Sequence, residues 1–154
     1  MRKKITYKVF RDGAVIPVRK KPRRLEHAFQ RQVAQYLAVA LRPPTLWTSI
    51  DAGAGRMTKA AAGDRKARGV RPGWPDVLIF HPAGAGAVRA LFIELKAGKG
   101  SLSSTQSALA NAARETGVRY RGCRSLDDID LEIRIAMIPV FAKPMTGGGW
   151  RIEP

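Results

Sequence analysis

Gly73-Trp74-Pro75-Asp76-Val77-Leu78-Ile79-Phe80 is followed, eighteen positions after Asp76, by Glu94-Leu95-Lys96 at the close of Leu91-Phe92-Ile93-Glu94-Leu95-Lys96. Val77 to Phe80 is a short apolar run bounded by Pro75 and by His81-Pro82. The glycine-rich segment Ala83 to Ala87 comes next, and Val88 to Leu95 is again mostly apolar. The pattern predicts strand, turn and strand, so two neighbouring strands bring the two acids together. Side chains alternate along a strand, which puts Glu94 and Lys96 on one face while Ile93 and Leu95 turn the other way into a core. Carboxylates with aliphatic neighbours on both sides are costly unless paired or bound to a metal.

Upstream, Ile5 to Phe10 and Ala14 to Val18 are β-prone runs around Arg11-Asp12-Gly13, and Asp12-Gly13 predicts a hairpin turn. Arg19-Lys20-Lys21-Pro22-Arg23-Arg24 reads equally as a clamp on a polyanion or as a solvated lead-in to a helix that Pro22 can open. Leu25, Phe29, Val33, Leu37 and Leu41 recur every four positions, predicting an amphipathic helix ended by Pro43-Pro44. Leu46 to Ile50 predicts a strand. Asp51 to Gly73, rich in Gly, Ala, Lys and Arg without an apolar period, predicts a basic loop with a single helical turn at most.

Downstream, Ser103 to Thr116 predicts a helix with Ser103 as its cap and Gly117 as its stop, followed by a strand from Val118 to Arg121. Ser125-Leu126-Asp127-Asp128 opens a last short helix with acids in the turn that the helix dipole favours. The pattern from Ile135 onward is ambiguous, and Gly147-Gly148-Gly149 predicts a mobile tail. No internal repeat is present.

A chain of 154 residues with 45% hydrophobic and 26% charged residues predicts one globular domain, and the strands and helices read above make it an α/β one. The longest apolar run, near Ile133 to Ala142, contains Arg134 and Pro139 and falls far short of the roughly twenty residues that cross a bilayer. The amino-terminal stretch is basic but has no apolar secretory core, so a cytoplasmic protein with no membrane partner is expected. Cys123 is the one cysteine, and His27 and His81 are the two histidines, which excludes a disulfide framework and a thiolate or histidine-rich zinc site within one chain. Any metal must be held by oxygen. Twenty-eight Lys and Arg against twelve Asp and Glu give a formal charge of +16, which attracts polyanions and points to phosphate backbones.

Phosphodiester hydrolysis gives the acids and the lysine a reason to sit together. It needs a cation on the phosphate oxygens, an activated water and stabilisation of the charge that develops on phosphorus. Magnesium prefers oxygen ligands and keeps several waters, so two or three acids suffice to hold it. Lys96 can orient or help deprotonate the water and add positive charge. A bare Glu-x-Lys is common by chance and reads as an exposed pair; the Gly-x-Pro-Asp turn, the apolar runs and the basic setting are what distinguish this one.

With these motifs the sequence resembles the VRR-NUC domains of the PD-(D/E)xK nuclease superfamily over roughly Arg23 to Ser125. The resemblance rests on Glu26, Gly69-Val70-Arg71-Pro72, Gly73-Trp74-Pro75-Asp76, Glu94-Leu95-Lys96 and Gln106, and no expected element is missing. It implies a restriction endonuclease-like core, a mixed central β-sheet flanked by helices. A basic arm or hairpin (1–22) would then precede a nuclease domain (23–134) and a C-terminal extension (135–154).

By the same resemblance Asp76, Glu94 and the Leu95 carbonyl bind magnesium, for which manganese substitutes, and Glu26 reaches the ion directly or through water. Lys96 is the catalytic lysine, and Gln106 acts beside it or at the phosphate. Gln106 also stands three residues after Ser103, the spacing of a capping box. Glu26 has a simpler reading as a first-turn acid, and Gln30 is a weaker supporting candidate. Arg56, Lys59, Arg65, Lys66, Arg68, Arg71 and Lys99 can follow a nucleic-acid backbone. Trp74 either stacks on a base or packs under its loop, and His81 reads as a strand-end residue. The implied activity is a bacterial or phage DNA endonuclease acting on branched substrates such as four-way junctions as a homodimer. The alternatives are a flap, nick or general duplex nuclease, and a non-catalytic nucleic-acid-binding module.

Overall fold

The computed structural model describes residues 7–9, 15–17, 23–50, 58–96, 98 and 100–153. Strands β1 (Tyr7–Val9) and β2 (Val15–Pro17) pair antiparallel, Tyr7 opposite Pro17, as the two β-prone runs predict. The Asp12-Gly13 turn, Val18 and residues 19–22 of the basic stretch lie outside the described residues. The four-residue apolar spacing produces α1 (Arg23–Ala40), which buries Val33, Tyr36, Leu37 and Ala40, with Leu41 just beyond and Phe29 at the margin.

Strands β3 (Leu46–Ser49), β4 (Val77–Gly84), β5 (Ala87–Leu95) and β6 (Arg119–Cys123) form the central sheet in that order. The first two pairings are antiparallel and β5–β6 is parallel, giving the expected mixed sheet. Its two faces have different tasks. Val77, Ile79, Leu91 and Ile93 point to the face that packs with α1 and α4 (Leu126–Ile135), and all four are fully buried. The opposite face carries Glu94, Lys96 and Phe92, and α3 (Ser104–Glu115) packs there over β6.

Three segments depart from expectation. Thr58 caps α2 (Lys59–Ala67), a helix of nine residues where a loop with one turn at most was expected. Three consecutive alanines, Arg65 and Lys66 in the last turn, and the Asp64–Arg68 ion pair at 3.0 Å favour it without any buried stripe, so periodicity has nothing to report. Strand β4 continues through His81-Pro82 to a two-residue turn at Ala85-Gly86, since β3 pairs only as far as Phe80 and the missing Pro82 N–H faces no strand on that side.

The third departure is at the C-terminus, where Gly147-Gly148-Gly149 forms a turn and not a mobile tail. All three glycines have positive φ, and they join β7 (Ala142–Pro144) to β8 (Trp150–Ile152). This hairpin is fastened to the core: Ala142 is fully buried and the Trp150 ring lies 6.1 Å from that of Tyr36. The Tyr36 hydroxyl donates to Asp130 Oδ1 at 2.7 Å, with the Ala142 carbonyl 3.2 Å away, while Arg134 bridges Asp130 and Glu153. Burial, then the bond to Asp130, raises the Tyr36 pKa and keeps its hydroxyl protonated as a donor. Among the described residues no helix is long and apolar enough to cross a membrane.

Tyr36→Phe removes a donor from buried Asp130 and is expected to cost about 1–3 kcal/mol. It should appear as a lower urea midpoint at unchanged slope. An unchanged midpoint would mean that the network adds no net stability.

Candidate active site

Asp76 stands at the entrance to β4, where its carbonyl accepts from Ile50 N at 2.8 Å. Its carboxylate Oδ2 accepts from Leu95 N at 2.7 Å, so the acid at the start of one strand is fixed by the backbone at the end of the next. Glu94 lies on β5 one residue earlier and is only 7% exposed. Lys96 follows directly after the strand, with Nζ 3.2 Å from Glu94 Oε1. Asp76, Glu94 and Lys96 therefore converge at one end of the sheet.

Gln106 closes this cluster from α3. Its Oε1 accepts from Lys96 Nζ at 2.8 Å and from Ser103 N at 2.9 Å, and its Nε2 donates to Glu94 Oε1 at 2.5 Å. Ser103 Oγ accepts in turn from Gln106 N at 3.3 Å, completing the capping box. The cap and the contact with Lys96, alternatives in the sequence, are made by one amide at the same time.

Tyr120 is a residue that sequence reasoning missed here, and Gly73 is one whose physical role it left unstated. The Tyr120 hydroxyl is within 3.4 Å of Glu94 Oε2 and 3.3 Å of the Gly73 carbonyl. Nothing in Val118-Arg119-Tyr120-Arg121 marks it; its role follows from the parallel register that places Tyr120 opposite Phe92 and Gly122 opposite Glu94. Gly73 was quoted as motif, but its reason is steric. It has φ +92°, and a Cβ there would lie 2.8 Å from the Thr105 carbonyl oxygen. Only glycine lets the loop before Asp76 press against the first turn of α3.

Burial is the main cause that raises the Glu94 pKa, and the neighbouring Asp76 charge raises it further. Lys96 and Gln106 oppose both without cancelling them. The same burial, with the charges of Glu94 and Asp76, keeps the Tyr120 hydroxyl protonated. Two acids that repel across a small space, with a lysine that offsets only part of the cost, form an all-oxygen donor set that suits magnesium or manganese. Asp76, Glu94 and the Leu95 carbonyl could supply protein ligands. No group of three or more His, Cys, Asp and Glu side chains suited to a metal occurs among the described residues, so water would complete the shell.

The remaining candidates fall in several places. Glu26 is in the first turn of α1, but its side chain lies outside the described residues, as do Arg56, Lys99 and the side chain of Lys59. Gln30 is half-buried one turn further along α1. Arg65, Lys66 and Arg68 are on or at the end of α2 and Arg71 follows in the connection to Asp76. Lys66 and Arg71 are exposed, and Arg68 pairs with Asp64. His81 Nδ1 is 2.8 Å from Thr45 Oγ1, a contact within the fold and away from the acids.

A raised Glu94 pKa makes its ionised form a burden on the folded state. The burden is absent where folded and unfolded chains are both protonated and grows as pH rises from the ordinary carboxylate range through the raised value. In chelator, Glu94→Gln should therefore melt above the wild type at about pH 8, with the difference vanishing near about pH 4. A difference that grows on acidification would show the opposite sign of coupling.

The model of the VRR-NUC domain matches residues 24–127, well over half of the chain. No curated protein and no solved structure matches this chain. The matched segment runs from α1 into the first turn of α4 and contains every residue of the cluster, and the mixed four-stranded sheet is that of a restriction endonuclease-like core. The chain belongs to the VRR-NUC domain family, a nuclease family of the restriction endonuclease-like superfamily.

Proposed function

We propose that this protein is a magnesium-dependent endonuclease that cuts DNA phosphodiester bonds, preferring branched substrates such as four-way junctions, and that it works as a homodimer. The observation that carries the reading is the joining of Asp76, Glu94, Lys96 and Gln106 into one hydrogen-bonded cluster at the mouth of the sheet. Asp76, Glu94 and the Leu95 carbonyl would hold the ion, with Glu26 as a further ligand from α1. Magnesium supplies positive charge to the phosphate oxygens and makes water more acidic.

The chain's own groups do the rest. Lys96 Nζ is held between Glu94 Oε1 and Gln106 Oε1, which directs its remaining N–H toward the attacking water or the phosphate. Gln106 fixes the position of that ammonium and, through its amide N–H, of the Glu94 carboxylate. The basic connection from α2 to Asp76, with Lys66 and Arg71 exposed, gives the DNA backbone a path to the acids. Leu131 and Ile135, one turn apart on α4, and Met137 beyond it are exposed on the opposite side of the sheet. They offer an apolar surface for a second copy, and sedimentation should find two chains per particle.

Labelled four-way junction, flap and plain duplex DNA should be cut in magnesium or manganese but not in chelator. The junction should be cut fastest. Asp76→Ala and Lys96→Ala are each expected to lower the rate by at least about a hundredfold while leaving DNA binding in place. Binding without cutting in any metal would leave a basic DNA-binding protein on a nuclease scaffold.

A further inference from the structure

On the face of the sheet that carries Glu94, the ground beside the acids is aromatic. Trp74 stands two residues before Asp76 and is 39% exposed. Its ring centroid is 5.8 Å from that of Phe92, which is two residues before Glu94 on the same face of β5 and so about 7 Å from it along the strand. Phe92 meets Phe80 edge-on at 6.3 Å, and both remain partly exposed. Leu46, opposite Phe80, and Val88, opposite Pro82, extend the face with 69% and 60% exposure. Among the described residues α3 packs over β6 and leaves this part of the sheet uncovered.

An exposed apolar face of this extent calls for an occupant. A second copy of the chain seated here would close the approach to Asp76 and Glu94. A fully paired duplex offers charged phosphates at its surface and keeps the flat faces of its bases stacked inside. Unpaired bases of a strand whose phosphate lies at the acids fit on both counts: their faces are free to stack on Trp74, Phe92 and Phe80, and their backbone is drawn by the +16 charge of the chain.

We propose that Trp74, Phe92 and Phe80 form a stacking platform for unpaired nucleobases next to the cleavage site, so that the enzyme selects nucleic acid opened at or beside the bond it cuts. This rests on the nuclease reading above and gives it a basis for substrate choice. A splayed end meets the requirement directly and a four-way junction meets it where the pairs at its branch point open, whereas an intact duplex must first be unstacked, at a cost in affinity.

The test is anisotropy titration in chelator, where nothing is cut, using the full chain with a fork bearing two unpaired arms and with a blunt duplex of equal phosphate number. The wild type should bind the fork more tightly. Trp74→Ala and Phe80→Ala should each weaken fork binding roughly tenfold and duplex binding less than twofold, while Trp74→Phe keeps most of the preference. Phe80 lies outside the Asp76 loop, so its variant stands if Trp74→Ala disturbs that loop. Equal losses on both ligands, no loss on either, or a change in oligomeric state of the Phe80 variant would each overturn the platform. A parallel magnesium assay separates the two readings: a wild type that cuts DNA while the variants show no fork-specific loss sinks the platform alone. Absence of any cutting sinks the nuclease.

Discussion

One side-chain amide ties the helix cap to the chemistry. Gln106 Oε1 faces two groups that can only donate, Ser103 N–H and the Lys96 ammonium, so Nε2 must turn to the Glu94 carboxylate. The start of α3 thereby sets where Lys96 and Glu94 stand. The same helix turn leaves room for Gly73 and no larger residue, which fixes the loop that presents Asp76. Tyr120, beneath, reaches both that loop and Glu94. Loop, strand and helix are held in register by these contacts, and the price is a buried acid close to a second one.

The sheet separates packing from chemistry by strand alternation. Ile93 and Leu95 turn from Glu94 and Lys96 toward the side that meets α1 and α4, and that side is as apolar as a small core requires. With the hydrophobic work done on one face, the other can carry carboxylates, a lysine and partly exposed aromatic rings. The C-terminal hairpin belongs to the packing side, where Ala142 and Trp150 complete the surroundings of Tyr36.

Much of this was legible in the sequence where a period or a spacing carries physical meaning. The recurrence from Phe29 to Leu41 specified α1, Ser103 with Gln106 specified the start of α3, and the apolar runs beside Asp76 and Glu94 specified two adjacent strands. The helix at 59–67 was hidden because its stability comes from alanine, a cap and an i,i+4 ion pair, none of which leaves an apolar stripe. The last hairpin was hidden because three glycines suit a turn as well as a loose end. Tyr120 was hidden for a third reason: its partner depends on a parallel register that no local pattern encodes. The double duty of Gln106 could be stated from sequence only as two alternatives, since only the folded geometry allows both bonds at once.

The proposed task of the Asp76 and Glu94 carboxylates, brought together against burial and their mutual repulsion, is to hold a divalent cation. Thermal unfolding of the wild type, Asp76→Asn and Glu94→Gln in chelator and in rising magnesium or manganese tests it most directly, because a ligand bound only to the folded state raises the midpoint with its concentration. The wild-type midpoint should rise with either metal, and both variants should lose that rise. A wild type indifferent to both metals, or variants whose midpoints rise as far as its own, would mean that these carboxylates hold no cation.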